Sequence, residues 1–556
     1  MHFPPPRPCR LLHRILAIVA AGVLAACSSL PPNVDRASSF TLAAPEQTEM
    51  GQFVAQRLRP EHARSDSGFL WLADVDSAYA ARVALIRAAR HTLDLQYYAI
   101  HADHSTELLL EELGRAARRG VRVRILLDDF NTVGKDAQVL RLALEPRVEI
   151  RLFNPMTGTR GSMLGHLAGS LFDEGSIGKR MHNKLFLADG SMGIAGGRNL
   201  GDAYFGADAT SNFIDLDVLA AGRIVRDMSA SFDRFWNDEL AYPMQALVGP
   251  DELDRLERGR TRQPGLAPVE AEPAGAPPPI AAPIGAGMVL PGIERVDVTR
   301  QGRPAFDLPS VRLTWSPSVL LADEPGKIAP DDDEADAGDT VVDGLLNLVD
   351  GARREVLIVS PYFVPGALIT DRLRKLAARG VRVRVLTNSL ASNDAPAAHA
   401  GYARYRRELL AAGVELHELR AGEAVPATGI GAHGGMGSIG AGSSSGASRA
   451  SLHSKAVMID GRIAVIGSMN LDLRSQAKNS EVALVIRSAS FTLAGTETVQ
   501  RLMDRTSYRV VLRGQRLAWQ APPGAGFGDA ADEPGATTLQ KILARVIAPF
   551  APDEIL

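Results

Sequence analysis

The sequence predicts an α/β protein built from two tandem repeats, each a mostly parallel or mixed sheet flanked by helices, the two sharing one site. Three observations carry this. The hexapeptide Arg119-Gly120-Val121-Arg122-Val123-Arg124 recurs unchanged as Arg379-Gly380-Val381-Arg382-Val383-Arg384. The stretch Met181-His182-Asn183-Lys184-Leu185-Phe186-Leu187-Ala188-Asp189 recurs in outline as Leu452-His453-Ser454-Lys455-Ala456-Val457-Met458-Ile459-Asp460. At 556 residues the chain is too long for one ordinary core, and an ordered series of matches along it marks an internal duplication.

Taken in order, the chain opens with Arg7, Arg10 and Arg14 ahead of an apolar run from Ile15 to Ala26. That is the layout of an export signal (1–26), too short to span as a mature helix. Leu24-Ala25-Ala26-Cys27 resembles a lipoprotein processing box, which makes Cys27 the lipidated first residue. Ser28 follows it where a retention signal would place Asp, so by resemblance to bacterial sorting rules the expected address is the periplasmic side of the outer membrane. Residues 27–66 read as a spacer.

The first repeat is assigned to 67–245. It begins with an Ala-rich helix over Asp76–Arg90 and a strand over Thr92–Ile100 that puts Leu93, Leu95 and Tyr97 on one face. A helix over Ser105–Arg119 stops at Gly120, and strands follow at Val121–Leu127 and Val148–Leu152. Strand, helix, strand in this order argues for a right-handed parallel crossover. Residues 246–340 read as linker and surface insertions, Pro/Ala/Gly-rich at 264–292 and acidic at 329–339. The second repeat (341–515) offers a strand at Arg354–Ser360, a helix at Ala367–Arg379 and a strand at Val414–Leu419, interrupted by a Gly/Ser-rich insertion at Gly429–Ser451 that reads either as an entrance lid or as an insertion without consequence. The tail, 516–556, carries an amphipathic helix over Leu539–Phe550 expected to pack on its own domain rather than on a membrane.

Apolar residues at 46% and charged residues at 22% suit a globular chain. A formal net charge of -3 lacks the basic signature of a nucleic-acid binder, and cleavage of the leader removes three arginines and no acid. Of the two cysteines, Cys9 leaves with the leader and Cys27 is taken by lipid. Disulfides, cysteine nucleophiles and cysteine-ligated zinc are thereby excluded.

The repeated trio carries the chemistry. On an extended segment His182 and Lys184 face one way and Asn183 the other, and His453 and Lys455 do the same. Asp189-Gly190 and Asp460-Gly461 suit tight turns. The next strands end in Gly196-Gly197-Arg198-Asn199 and Gly467-Ser468-Met469-Asn470, whose small residues are expected to let a ligand approach the backbone. Lys and Asn donors suit phosphate oxygens. One imidazole can attack phosphorus while the other protonates the departing oxygen. Each needs a carboxylate to hold its tautomer; Asp215 and Glu481 stand at matching places, Asp215 being assigned to His182. Asp217 reads as a solvated strand residue.

The doubled His-x-Lys-x-x-x-x-Asp with its trailing Gly and Asn resembles the phospholipase D superfamily. Asp94-Leu95-Gln96-Tyr97-Tyr98, Leu126-Leu127-Asp128-Asp129, the Gly197–Gly206 stretch, Thr387–Asp394 and His399–Arg404 make the chain similar to bacterial cardiolipin synthases of the C type. That resemblance implies two phospholipase D-like repeats around one active site, a covalent phosphohistidine, phospholipid substrates, no metal and no other cofactor. It makes His182 the nucleophile and His453 the acid and then the base. Lys184, Lys455, Asn199 and Asn470 would hold the phosphate, with Asp215 and Glu481 orienting the imidazoles. Asp189 and Asp460 complete the motif, although they look like turn residues.

The implied activity is a membrane-associated phosphatidyltransferase making cardiolipin. The alternatives are a hydrolase, either a phospholipase or, against the acidic balance, a nuclease, and a lipid-binding scaffold with a vestigial site, against which the intact trios stand. Lipid and membrane are the implied partners, with no nucleic acid, and nothing in the sequence names a protein partner. Tyr97, Tyr98, Tyr362 and Phe363 could line an acyl groove or belong to the core; His399 and Arg404 could meet a headgroup or lie on a surface helix; His433 reads as incidental.

Overall fold

The computed structural model describes residues 36–58, 66–129, 142–155, 178–247, 304–329, 340–422 and 449–547, with Leu30, Asn33, His62, Val139 and Asp297–Val298 as isolated points. The expected leader, Cys27, the segment 264–292, His433 and the bulk of the Gly/Ser-rich insertion lie outside the described residues.

The first half runs α1 (Glu49–Arg57), β1 (Ser67–Leu72), α2 (Val75–Ala88), β2 (Thr92–Tyr97), α3 (His104–Arg118), β3 (Arg122–Asp128), β4 (Val148–Phe153), β5 (Arg180–Met181), β6 (Leu185–Ala188), β7 (Met192–Gly196), β8 (Ser211–Ile214), β9 (Asp217–Gly222), α4 (Arg223–Asn237) and β10 (Ala241–Pro243). Then come β11 (Thr314–Ser316), β12 (Ser318–Ala322), α5 (Val341–Asp350), β13 (Glu355–Val359), α6 (Gly366–Ala378), β14 (Arg382–Asn388), α7 (Pro396–Ala411), β15 (Glu415–Leu419), β16 (Arg449–Leu452), β17 (Ala456–Ile459), β18 (Ile463–Gly467), α8 (Leu473–Ala477), β19 (Asn479–Ser480), β20 (Val482–Arg487), α9 (Ala489–Thr506), β21 (Ser507–Arg513), β22 (Arg516–Gln520) and α10 (Thr538–Ile547).

Local chemistry sets the ends of these elements. Asp74 and Asp103 accept from the third backbone N–H of α2 and α3, and Thr340 with Asp343 forms a reciprocal cap on α5. Gly120 and Gly380, the same residue of the repeated hexapeptide, take φ of 101° and 83° after α3 and α6, where any side chain would be strained.

The strands form two nine-stranded mixed sheets, in the orders β10-β4-β3-β2-β6-β7-β9-β1-β11 and β12-β20-β18-β17-β13-β14-β15-β21-β22. In each, three strands run parallel (β2, β3, β4; β13, β14, β15), with α3 between β2 and β3, α6 between β13 and β14 and α7 between β14 and β15, and the others pair antiparallel. Leu93, Leu95 and Tyr97 point together into an outer core under α2 and α3, as expected from their spacing. A second outer core lies under α5, α6 and α7. Between the sheets a middle core mixes side chains of both halves, including Phe232, Phe235 and Trp236 of α4 and Phe491, Val499 and Met503 of α9. Trp71 of β1 stacks on Phe491 with ring centres 4.6 Å apart and donates to its carbonyl, so the halves share a continuous interior.

Four expectations are corrected. The segment from Arg36 is no spacer: Met50 and Val54 of α1 are buried, Thr41 N–H donates to Asp233, and Arg124 donates to the Ser39 carbonyl. The linker holds two strands, β11 joining the first sheet beside β1 and β12 joining the second beside β20, so the second repeat begins near Ser318 rather than 341. The tail boundary fails too, because β22 closes the second sheet's edge against β21. The amphipathic helix α10 forms and lies against α7, but its apolar side chains face outward, with Leu539 73% exposed.

Asp189 and Asp460 are turn residues, at φ of 48° and 53°. Asp189 accepts from the N–H groups of Arg90, His91 and Thr92, and Asp460 from those of Arg353, Arg354 and Glu355. Each thereby ties its hairpin to the start of the neighbouring parallel strand, and neither belongs to the reacting set. Asp189→Ala leaves three backbone donors without their acceptor and is expected to cost about 1–3 kcal/mol, read by urea unfolding, while turnover per folded molecule stays near wild type.

Candidate active site

Two short parallel ladders between the halves build the site. β5 pairs with β19 (Met181 opposite Ser480), and β16 pairs with β8 (Leu452 opposite Ile214). The next residue on each strand continues the register: His182 N–H donates to Ser480 O and His453 N–H to Ile214 O. His182 therefore lies beside Glu481 and His453 beside Asp215. Nδ1 of His182 sits 2.9 Å from Glu481 Oε2, and Nδ1 of His453 sits 2.7 Å from Asp215 Oδ2.

This corrects the assignment of Asp215 to His182: each imidazole takes its carboxylate from the other half. An ionised carboxylate only accepts, so it holds a hydrogen on Nδ1, and in the neutral ring Nε2 is left with the lone pair.

The lysines complete the cluster. Lys184 Nζ donates to the carbonyl of His182 at 2.8 Å and Lys455 Nζ to that of His453 at 2.6 Å. Both are buried, and burial draws their pKa values down, to about 7 and about 8, against the pull of Asp215 and Glu481. His182 is driven well below the usual imidazole range by burial and by Lys184, Lys455 and His453. Burial and Lys455 also lower His453. The charges of Lys455 and His453 reach His182 across the seam of the halves, so the two pairs form one cluster.

The two halves are not equivalent. Burial raises Glu481 against the charges of Lys184 and Lys327 and the hydroxyl of Ser468, which donates to Oε2 at 2.5 Å. Burial also pushes Asp215 up, but His453, Lys455 and Arg198 outweigh it and hold the carboxyl below its ordinary value. At the place of Ser468 the first half has Gly197, where an added Cβ would come within 2.4 Å of Asp215 Oδ1. The small residue thus admits a carboxylate rather than a ligand.

The asparagines differ as well. Asn199 accepts from Ala99 N–H and donates to Tyr204 Oη, whereas Asn470 keeps a buried Oδ1 without a partner. Tyr204 and Tyr98 stand edge-on to His453 and His182, at 5.2 and 5.1 Å. Tyr97 and Phe363 are core, and Tyr362 donates to Asp394. Asp217 is no solvated residue: it is buried and binds Arg82 and Arg198. His399 is also buried and bonded to Arg406, which takes it away from any headgroup.

The sequence reading missed two residues of the supposed linker. Asp323 accepts the N–H of Glu481 at 2.8 Å on Oδ2 and that of Val341 on Oδ1, while buried Lys327 donates to Asp323 at 2.7 Å and to Ser475 O. Together they brace the strand that presents Glu481. The duplication carried the signal, since β1 of the first half required a counterpart before α5.

Two mixed sheets that bring a His-x-Lys pair from each half to crossed carboxylates define an enzyme of the phospholipase D superfamily. The profile of the family described as "Cardiolipin synthase, PLD-like domain" matches residues 83–236 and 345–503, and the chain belongs to that family. It is a phosphatidyltransferase of the cardiolipin synthase kind. Cardiolipin synthase C of Escherichia coli K12 is 35% identical over 457 residues, 80% of this chain and 84% of that one. Cardiolipin synthase A of Pseudomonas entomophila is 26% identical over 84% of this chain and 78% of its own. The crystal structure of phosphatidylserine synthase from Haemophilus influenzae Rd KW20 superposes with a TM-score of 0.53 at 13% identity, covering 92% of this chain and all of that one, which is a likeness of fold.

Two outcomes follow. Double-mutant cycles on unfolding free energy are expected to couple His453 with Asp215 and His182 with Glu481 by about 0.5–3 kcal/mol; coupling of His182 with Asp215 instead would restore the uncrossed pairing. Because both lysine values are lowered, the cations exist below pH of about 7 to 8 and are lost above. Hence kcat/KM should decline as pH rises through that window, and a flat profile to pH of about 10 would remove the lysines from charge stabilisation.

Proposed function

We propose that this phosphatidyltransferase makes cardiolipin through a phosphohistidine on His182, at a membrane to which Cys27 tethers it. The observation that carries the reading is the crossed pairing of His182 with Glu481 and His453 with Asp215, with both lysines between them.

His182 is the better nucleophile because it is held neutral, with Nδ1 bonded to Glu481 and Nε2 bare. Its Nε2 forms a bond to phosphorus as the bond to the headgroup oxygen breaks. His453, beside an ionised Asp215 that stabilises its imidazolium, gives its Nε2 proton to that oxygen. The headgroup alcohol leaves. The glycerol hydroxyl of a second phospholipid then gives its proton to His453 while its oxygen attacks phosphorus, and the bond to His182 breaks. Lys184, Lys455 and the Asn470 amide would meet the charge that develops on the phosphoryl oxygens. Release of phosphatidic acid would require water to take the acceptor's place.

Among the described residues no helix is long and apolar enough to cross a membrane; attachment by lipid at Cys27 rests on the processing box Leu24-Ala25-Ala26-Cys27 in the sequence.

Purified protein incubated with labelled phosphatidylglycerol and phosphatidylethanolamine is expected to yield cardiolipin, followed by mass spectrometry. Phosphatidic acid alone would make it a hydrolase, and no turnover would sink both readings. His182→Ala should lose at least about 10³-fold in kcat. His453→Ala should accumulate acid-labile phosphate on His182; phosphate trapped on His453 in a His182→Ala chain would reverse the roles.

A further inference from the structure

Helix α10 is inverted for a surface helix. Leu539, Ile542, Leu543 and Val546 share one face at spacings of three and four, and they are 73, 53, 43 and 57% exposed. They are half of the large apolar side chains that stand out from the described surface. The other face meets the protein: Lys541 is half-buried and paired with Asp532 at 2.8 Å, Ala544 is half-buried, and the helix lies against α7.

The base beneath it is rigid. Glu533, just ahead of α10, binds Arg406 of α7 at 2.8 Å within a buried group that includes His399, Tyr402, Glu418 and Trp519. The apolar face is therefore held outward by the fold. Charge also selects what meets it: residues 538–547 contain no acid, and with Lys541 taken by Asp532 it is the exposed Arg545 that lies beside the apolar face.

Its position relates it to the cleft. Gly535 lies against Ala391, an added Cβ being 3.4 Å from the Ala391 Cβ. Ala391 follows shortly after Asn388, whose side-chain amide bonds both backbone groups of Leu452, the residue before His453.

We propose that α10 is an interfacial helix that seats the second half on an anionic phospholipid bilayer, its four apolar side chains entering the headgroup–acyl boundary beside the mouth of the active site. The choice of a bilayer over a protein surface rests on reading the site as one that acts on phospholipid. The helix supplies orientation that a lipid tether at the far end of the chain does not.

The test uses the full-length chain. Leu543→Trp gives a local probe, whose added fluorescence should shift to shorter wavelength and be quenched by brominated acyl chains in vesicles of phosphatidylglycerol and phosphatidylethanolamine, and much less in phosphatidylcholine vesicles. The triple change Leu539→Gln, Ile542→Gln and Val546→Gln should lower turnover on vesicles at least 10-fold while leaving turnover of a monomeric short-chain phospholipid unchanged. Absence of quenching, a self-association in solution that the triple change abolishes, or equal loss on monomeric lipid would each overturn the proposal. Should the wild type turn over neither lipid, the proposed reaction falls, while quenching of the probe still decides the docking.

Discussion

The structure depends on two short parallel ladders between its halves. β5 with β19 pairs two residues of each strand and β16 with β8 four, yet they set the register that places each imidazole against a carboxylate from the other half. Neither half holds a working histidine alone, because each lacks the acceptor that orders its ring. The burial of Glu481 and Asp215 is tolerable only because an imidazole and a lysine charge meet each of them. A chain so built needs its two halves packed as one body, and the middle core, with α4 and α9 drawn from opposite halves, supplies that.

The duplication leaves room for difference where the chemistry asks for it. Glu481 receives a hydroxyl from Ser468 and a backbone brace from Asp323, itself paired with Lys327. Asp215 fills the space that Gly197 leaves open and is steadied by Arg198, whose guanidinium binds its carbonyl and the carboxylate of Asp217. One carboxyl is pushed up and the other held down. The two halves thus present unlike partners to their histidines. The same surroundings strip both lysines of much of their proton affinity, so an arriving phosphodiester meets cations that gain by being neutralised.

Outside the cleft, the parts that the repeat pattern does not cover turn out to be structural or outward-facing. Residues from Arg36 to Arg57 strap the first half, β11 and β12 pass the chain from one sheet to the other, and the tail after β22 is clasped to α7 by Glu533. That clasp is what leaves the apolar side of α10 turned to the outside rather than folded under.

Sequence alone determined the α/β class, the two halves, the parallel strand–helix–strand units and the His, Lys and carboxylate types that meet at the seam. Those features follow from caps, glycine stops and side-chain periodicity, which act within a few residues and repeat where the chain repeats. The turn roles of Asp189 and Asp460 were legible for the same reason. Tertiary structure alone decided which carboxylate serves which histidine, since the partners lie 299 and 238 residues apart and are chosen by strand pairing between halves. It also decided that Asp323 and Lys327 stand behind Glu481, that Gly197 yields space to Asp215, and that α10 faces outward. Local pattern ranks the residues able to do a task, but burial and partner identity are properties of the packed chain.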